Sequence, residues 1–412
     1  MKQAKPKILI MLGFLALILG AIAGVIIWGL LNVMDLAIDF IWDRPASLVY
    51  NLAVCCGGAV CIGLWQKKYG IYPDSTEKVI AIIKTRGRYP YDKLGVLAVS
   101  ALLPLIFGGA LGPEAGLIGI IAGLCFWVGD SLKKRGHEVS EAMAETGVAV
   151  AFSVIFGAPL MGIVGNLEPD GKDEKYREKL LSKKGRIVFY FLGAFGGFGA
   201  MKACSQVFAD LIPASSGLPR FQQRESLDLS QWKWALMMMV AGIILGLIYC
   251  SFEKITRKCA AKIEDKRILS CLIAAVVLAF AGFWLPETMF SGEDALGDLI
   301  VNWDMQSPKT LMLIALVKLL LVNVCISFGW RGGHIFPVLY SGASAAFSLA
   351  LLVGADGTFA AAILMSAMHS YIGRKPVMTV AIMALCFPLT YLPPMLIAAI
   401  VARKIPSPFV NS

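Results

Sequence analysis

The 412-residue sequence predicts an all-α integral membrane protein, made of many tilted, broken helices in two inverted-topology repeats. Three observations carry that reading. The chain is 58% hydrophobic and 16% charged, with a mean hydropathy of +0.72, whereas a soluble domain carries about 25% charged residues. Its apolar runs reach or approach the roughly 20 residues that span a bilayer. The same interruption, glycines with a proline inside apolar sequence, also occurs in both halves.

The first run, 8–33, is longer than the apolar core of a signal peptide and has no A-x-A-like cleavage site, so it reads as a retained helix. Further runs cover 234–251, 268–285, 310–330 and 376–402, while 94–107 and 115–128 are short and bounded by Gly or Pro. The net charge of +10 gathers in short segments: Lys2 to Lys7, Lys67 to Lys93, Lys172 to Arg186 and Lys254 to Arg267. Such clustering marks the cytoplasmic face of a multi-pass protein in the cell membrane, with the lipid bilayer as its surroundings. It is not the footprint of a nucleic-acid partner.

Ten cysteines lie mostly inside apolar runs, and no C-x-x-C occurs. With three histidines and no H-E-x-x-H, neither a metal nor a cofactor is expected. "SGAS" at 341–344 does not match a nucleophile setting, and no aspartate pair stands out, so the chain does not read as an enzyme.

Irregular backbone at membrane depth survives only where protein buries it or a cavity hydrates it. Short, Gly/Pro-interrupted segments at corresponding places in two halves therefore point to a transport site. "GGALGPEAGL" (108–117) and "FGWRGGHIFPVLYSG" (328–342) are such a pair. Downstream, Pro159 follows Gly112 by 47 residues, and Pro376 follows Gly333 by 43. The expected organisation is a first repeat over 1–207, a polar linker over 208–231 and a second repeat over 232–412.

A helix that begins inside the membrane presents main-chain N–H groups and the positive end of its dipole, an anion site with no buried cation. The candidate anion-binding segments are Gly112, Pro113, Ala115 and Gly116, and Gly333, His334, Ile335 and Phe336. Glu114 lies within the first. An acid at the bilayer centre costs roughly 2.5–3.5 kcal/mol on insertion scales, so Glu114 is the candidate gate that competes with the anion. The alternative is another inverted-repeat secondary transporter that uses Glu114 as a cation or substrate ligand.

These residues resemble the CLC family of chloride channels and chloride/proton exchangers. "GPEAG" is similar to the family's gate motif G-(K/R)-E-G-P, and "GGHIFP" to its G-G-x-F-x-P. Residues 145–164 resemble G-x-A-A-A-F-x-A-P-L-x-G, and "KPVMTVAI" resembles the later A-P-L-T segment. The likeness runs over roughly 70–400 in the family's order.

The sequence also departs from the family. Pro113 stands where the family has a basic residue, and Ala115-Gly116 where it has Gly-Pro. The second-half phenylalanine falls on Ile335, with Phe336 next. The serine of G-S-G-I-P falls on Pro73, with Ser75 and Tyr72 nearby. Some relatives with proline at that serine position look nitrate-preferring. The central tyrosine falls near Tyr391. The internal proton-carrying acid pair becomes Glu168 and Pro169, which leaves Glu168 as the candidate and tilts away from tight coupling.

The resemblance implies transport of chloride or a similar small anion, with protons as a second partner, through a homodimer with one pore per subunit. Only "SPFVNS" follows "AAIVARKIP", so no C-terminal regulatory domain is expected.

Overall fold

A computed structural model describes residues 6–44, 47–86, 89–133, 183–209, 219–221 and 229–406. Among these the regular structure is helical. Six helices are long and apolar enough to cross a membrane. The N-terminal five are α1 (Pro6–Trp42), α2 (Leu48–Tyr69), α3 (Thr76–Arg86), α4 (Leu94–Ile106) and α5 (Glu114–Lys133). They are followed by α6 (Lys183–Val207), α7 (Ala235–Ala261), α8 (Arg267–Trp284), α9 (Glu293–Asn302) and α10 (Pro308–Ser327). The last four are α11 (Ile335–Val353), α12 (Gly357–Gly373), α13 (Pro376–Cys386) and α14 (Leu392–Lys404).

Among the described residues two compact units divide the chain by packing: one is formed within 1–40, 72–102 and 113–217, the other within 41–71, 103–112 and 218–412. In the first unit, α1 meets α6 through glycines, Gly20 against Gly193 and Gly24 against Gly197, where an added Cβ would strike the opposing main chain. Small residues let membrane helices approach this closely. Outward, α1 leaves Phe14 and Phe40 exposed at 65% and 81%, a surface suited to lipid rather than water.

The second unit is built around α11, which is buried over most of its length from Ile335 to Ser348. Its serines join helices. Ser344 Oγ donates to Leu311 O of α10 at 2.7 Å, and Ser348 Oγ to Pro308 O at 2.7 Å. Ser341 Oγ donates within α11 to Pro337 O at 2.7 Å. The "SGAS" hydroxyls thus serve packing.

The apolar run 376–402 is not one span. Pro376 opens α13, and the chain breaks at Phe387 before Pro388. Phe387 is extended (φ −110°, ψ 150°), the conformation that a following proline favours. Pro388 also cannot donate the next helical bond.

Lys318, in the apolar middle of α10, is fully buried. Its Nζ donates to main-chain oxygens of Glu287 (3.0 Å), Met289 (2.9 Å) and Phe290 (3.3 Å), and lies 4.8 Å from the Tyr340 ring centroid. One ammonium thereby satisfies three carbonyls of the segment that joins α8 to α9. Lys318→Met removes three donated bonds at once, and each buried group left unsatisfied costs about 1–3 kcal/mol. The expected result is a thermal midpoint in detergent several degrees lower. An unchanged midpoint would contradict this role.

Candidate functional site

Each glycine-rich segment is shaped by its own local bonds. After α4 the chain folds back, with Gly109 N donating to Pro104 O at 2.8 Å and Leu111 N to Gly109 O at 2.8 Å. Gly108 has φ +91°, a conformation open to glycine, and its carbonyl accepts from Phe290 N at 3.4 Å. The Trp42 ring packs edge-on against Phe290 at 5.4 Å, and its Nε1 donates to Ile106 O at 3.0 Å.

The second segment is clamped by three bonds to two helices. Gln66 Nε2 of α2 donates to Gly329 O at 2.6 Å, and Ser270 Oγ of α8 donates to Phe328 O at 3.1 Å. Trp330, fully buried, donates through Nε1 to Cys271 O at 3.0 Å. Gly329 holds φ +103°, which lets the chain turn here without strain.

Between the two segments the main chains pair. Gly112 N donates to Gly333 O at 2.8 Å, and Gly333 N donates to Gly112 O at 2.8 Å, an antiparallel bridge outside any strand. Both residues belong to the second compact unit. The exchange is reciprocal, so the bridge is locally two-fold between the two residues that the sequence comparison matched. Beside it, a Cβ added to Gly332 would lie 2.8 Å from Leu111 Cβ.

Gly333 leads into α11. His334 is its N-cap, with no side-chain capping bond, and Val338 N donates to His334 O at 3.1 Å. Pro337 has no N–H, so Ile335 and Phe336 carry the first-turn N–H groups of α11. Both side chains are buried. The His334 ring lies 5.9 Å from that of Tyr249 in α7.

In the first unit, Glu114 is the first residue of α5 and is fully buried. Leu117 N donates to Pro113 O at 3.1 Å, which sets the first turn. An acid at this end is favoured by the helix dipole. Ala115 is buried at 1%, and a Cβ on Gly116 would collide with Ala101 of α4 and lie 3.9 Å from Pro73 Cγ. Pro73 therefore stands beside the start of α5. Ser75 does not share that place: it is exposed, and its Oγ accepts from Lys78 N at 3.3 Å at the start of α3.

Tyr391 is buried, with its ring 6.5 Å from that of Phe359 near the start of α12. His334 belongs to the other end of that helix. Gly246 of α7 packs on Tyr371, and Tyr249, one turn on, meets His334. Phe359 and Tyr371 are separated by about 18 Å of helix axis. The structure thus brings Gly112, Gly333 and His334 together, and Tyr391 packs beside Phe359 of α12. Glu168, the motif at 145–164, Pro159 and most of 208–231 lie outside the described residues.

Three neighbours of these segments went unread in the sequence. Lys318 carried a signal, being a single charge within an apolar run. Arg331 stood inside the matched motif. Tyr249, an aromatic in an apolar span, carried no signal at all.

The profile described as "Voltage gated chloride channel" matches residues 57–407. The chain belongs to this family. It is therefore a multi-pass membrane protein of a family of anion channels and transporters rather than of enzymes.

It is 25% identical over 314 residues to the "Putative ion-transport protein YfeO" of Escherichia coli O17:K52:H18, covering 68% of this chain and 70% of that one. To the protein of the same name from Shigella sonnei it is 20% identical over 366 residues, covering 83% and 79%. Its fold is similar to that of a CLC-type fluoride/proton antiporter, with TM-score 0.78, 19% identity, and 99% and 98% of the chains covered. A slow cyanobacterial Cl−/H+ antiporter gives TM-score 0.77 at 15% identity, covering 97% and 94%.

Proposed function

We propose that this protein moves a small anion, chloride first, along a pathway gated by Glu114. The observation that carries the reading is the placement of Glu114: a fully buried acid that opens α5, two residues after the glycine bridged to Gly333. When ionised, its carboxylate occupies an anion position at the start of α5 and blocks passage. Protonation removes that charge, and the side chain leaves the position to the incoming anion.

Chloride is set against fluoride and nitrate by experiment. Pro73, which offers no hydroxyl, stands beside the start of α5, and the similar solved structures include a fluoride/proton antiporter and a Cl−/H+ antiporter. Proteoliposomes loaded with chloride, fluoride or nitrate, and assayed with ion-selective electrodes in sodium-free buffer, test the assignment. Chloride efflux without sodium is expected. Flux that requires sodium would favour the alternative, in which Glu114 is a cation or substrate ligand.

We extend the proposal to a homodimer with one pathway per chain, on the family's precedent. Crosslinking in mild detergent is expected to give a dimer, and monomers alone would contradict it.

A further inference from the structure

Within the second compact unit, a cavity of about 200 Å³ opens among the end of α7, the start of α8, the end of α10 and the loop 328–331. Three arginines line it, Arg257, Arg267 and Arg331, with Glu264 as the one acidic residue of the wall among the described residues. Three other polar wall groups are already engaged, Ser270 Oγ donating to Phe328 O at 3.1 Å. Gln66 Nε2 donates to Gly329 O at 2.6 Å, and the Ser327 hydroxyl lies 2.9 Å from that of Thr256. The arginines supply the excess positive charge. Arg257 also pairs with Glu253 at 2.7 Å, with a side chain 69% exposed, so it sits as an arm on the rim.

The size and chemistry narrow the occupant. The space is several times the roughly 30 Å³ share of one water, more than a lone halide fills. Guanidinium forks match the oxygens of a phosphate in a way that a point charge does not. The cavity opens beside the Lys/Arg-rich stretch 254–267, which marks the cytoplasmic boundary of the membrane. Basic pockets between helices at that level take anionic lipid headgroups.

A second cavity, of about 550 Å³, shares Gln66, Ile71 and Arg267 with the first and adds Lys67, Lys266, Leu269 and one carboxylate, Asp265. Leu269 is 44% exposed, an apolar shoulder on which an acyl chain can lie.

We propose that this cavity is a phosphate-binding site, held by Arg257, Arg267 and Arg331, for the headgroup of an anionic phospholipid or for free inorganic phosphate. The proposal does not depend on the transport reading. Arg331 lies two residues before Gly333, so an occupant also steadies the clamped loop.

The test uses the full chain in mild detergent. Dioctanoyl phosphatidylglycerol, dioctanoyl phosphatidylcholine and sodium phosphate are titrated separately at matched ionic strength. Thermal midpoint and lipid retained in native mass spectra are recorded. Phosphatidylglycerol is expected to raise the midpoint and remain bound at one per chain, while phosphatidylcholine does neither. Inorganic phosphate is expected to compete at higher concentration.

Arg267→Gln and Arg331→Gln should each weaken the effect about tenfold, and Arg257→Gln, on the exposed rim, serves if either fails to fold. Lys258→Gln and Lys262→Gln, on the same stretch but outside the cavity, should leave it intact. A response to phosphatidylglycerol alone assigns the site to lipid, and a response to phosphate alone assigns it to the free ion. No response to either overturns the proposal. So does an equal loss in the lysine controls.

Discussion

Replacing Glu114 with glutamine is expected to give anion flux that persists at high external pH and no longer drives protons. Glutamine keeps the shape of the side chain and removes the charge, so it stands for the protonated carboxyl throughout the titration. The wild-type protein, in contrast, should lose flux as external pH rises, because the ionised form blocks. Radiotracer or electrode efflux across a pH series reads both. A burial-only role predicts a different outcome: Glu114→Gln would retain the wild-type pH response and whatever coupling the wild type has. Glu114 would then be an acid that merely favours the start of α5.

The second large effect concerns the bridge. Gly332→Ala adds one Cβ, which would lie 2.8 Å from Leu111 Cβ and 3.2 Å from Gly112 O. Neither is the free end of a flexible side chain, so the paired segments must separate. Overpacking of this kind costs roughly 1–3 kcal/mol. The strain falls where Gly112 and Gly333 exchange hydrogen bonds, and anion flux is expected to fall at least tenfold. Leu111→Gly removes the nearer of the two atoms in conflict, although the emptied space at fully buried Leu111 carries its own cost. The double variant should therefore lose less than the two single effects combined, the signature of coupled neighbours. Additive losses would show that the contact does not position the bridge.

How far the sequence foretold this can be argued from the elements themselves. The membrane class followed from composition, and α8 and α10 lie within a few residues of the runs 268–285 and 310–330. Long apolar segments leave the backbone one economical solution in lipid, the helix. The run 376–402 hid its break because α13 and α14 are apolar on both sides of Pro388. Only the proline marked the place.

The pairing of Gly112 with Gly333 was approachable from the repeated glycine clusters. A motif match gives likeness, however, not contact, and hydrogen-bond exchange had to be seen. Tyr391 shows the limit most clearly. Its alignment followed the chain, but the end of α12 on which it packs is decided by tertiary arrangement, which spacing does not encode. Lys318 and Arg331 were visible as charges in apolar surroundings, yet their roles depend on which carbonyls and cavities lie opposite.

The most direct measurement is chloride efflux from sodium-free proteoliposomes with simultaneous recording of external pH, for the wild type and Glu114→Gln side by side. The account predicts chloride release from both, with pH-dependent flux in the wild type alone. Proton uptake in fixed ratio to chloride would make the wild type a coupled exchanger and would bring Glu168 forward as the internal proton carrier. A wild type that releases no chloride, fluoride or nitrate, or a Glu114→Gln protein that titrates like the wild type, would contradict the account.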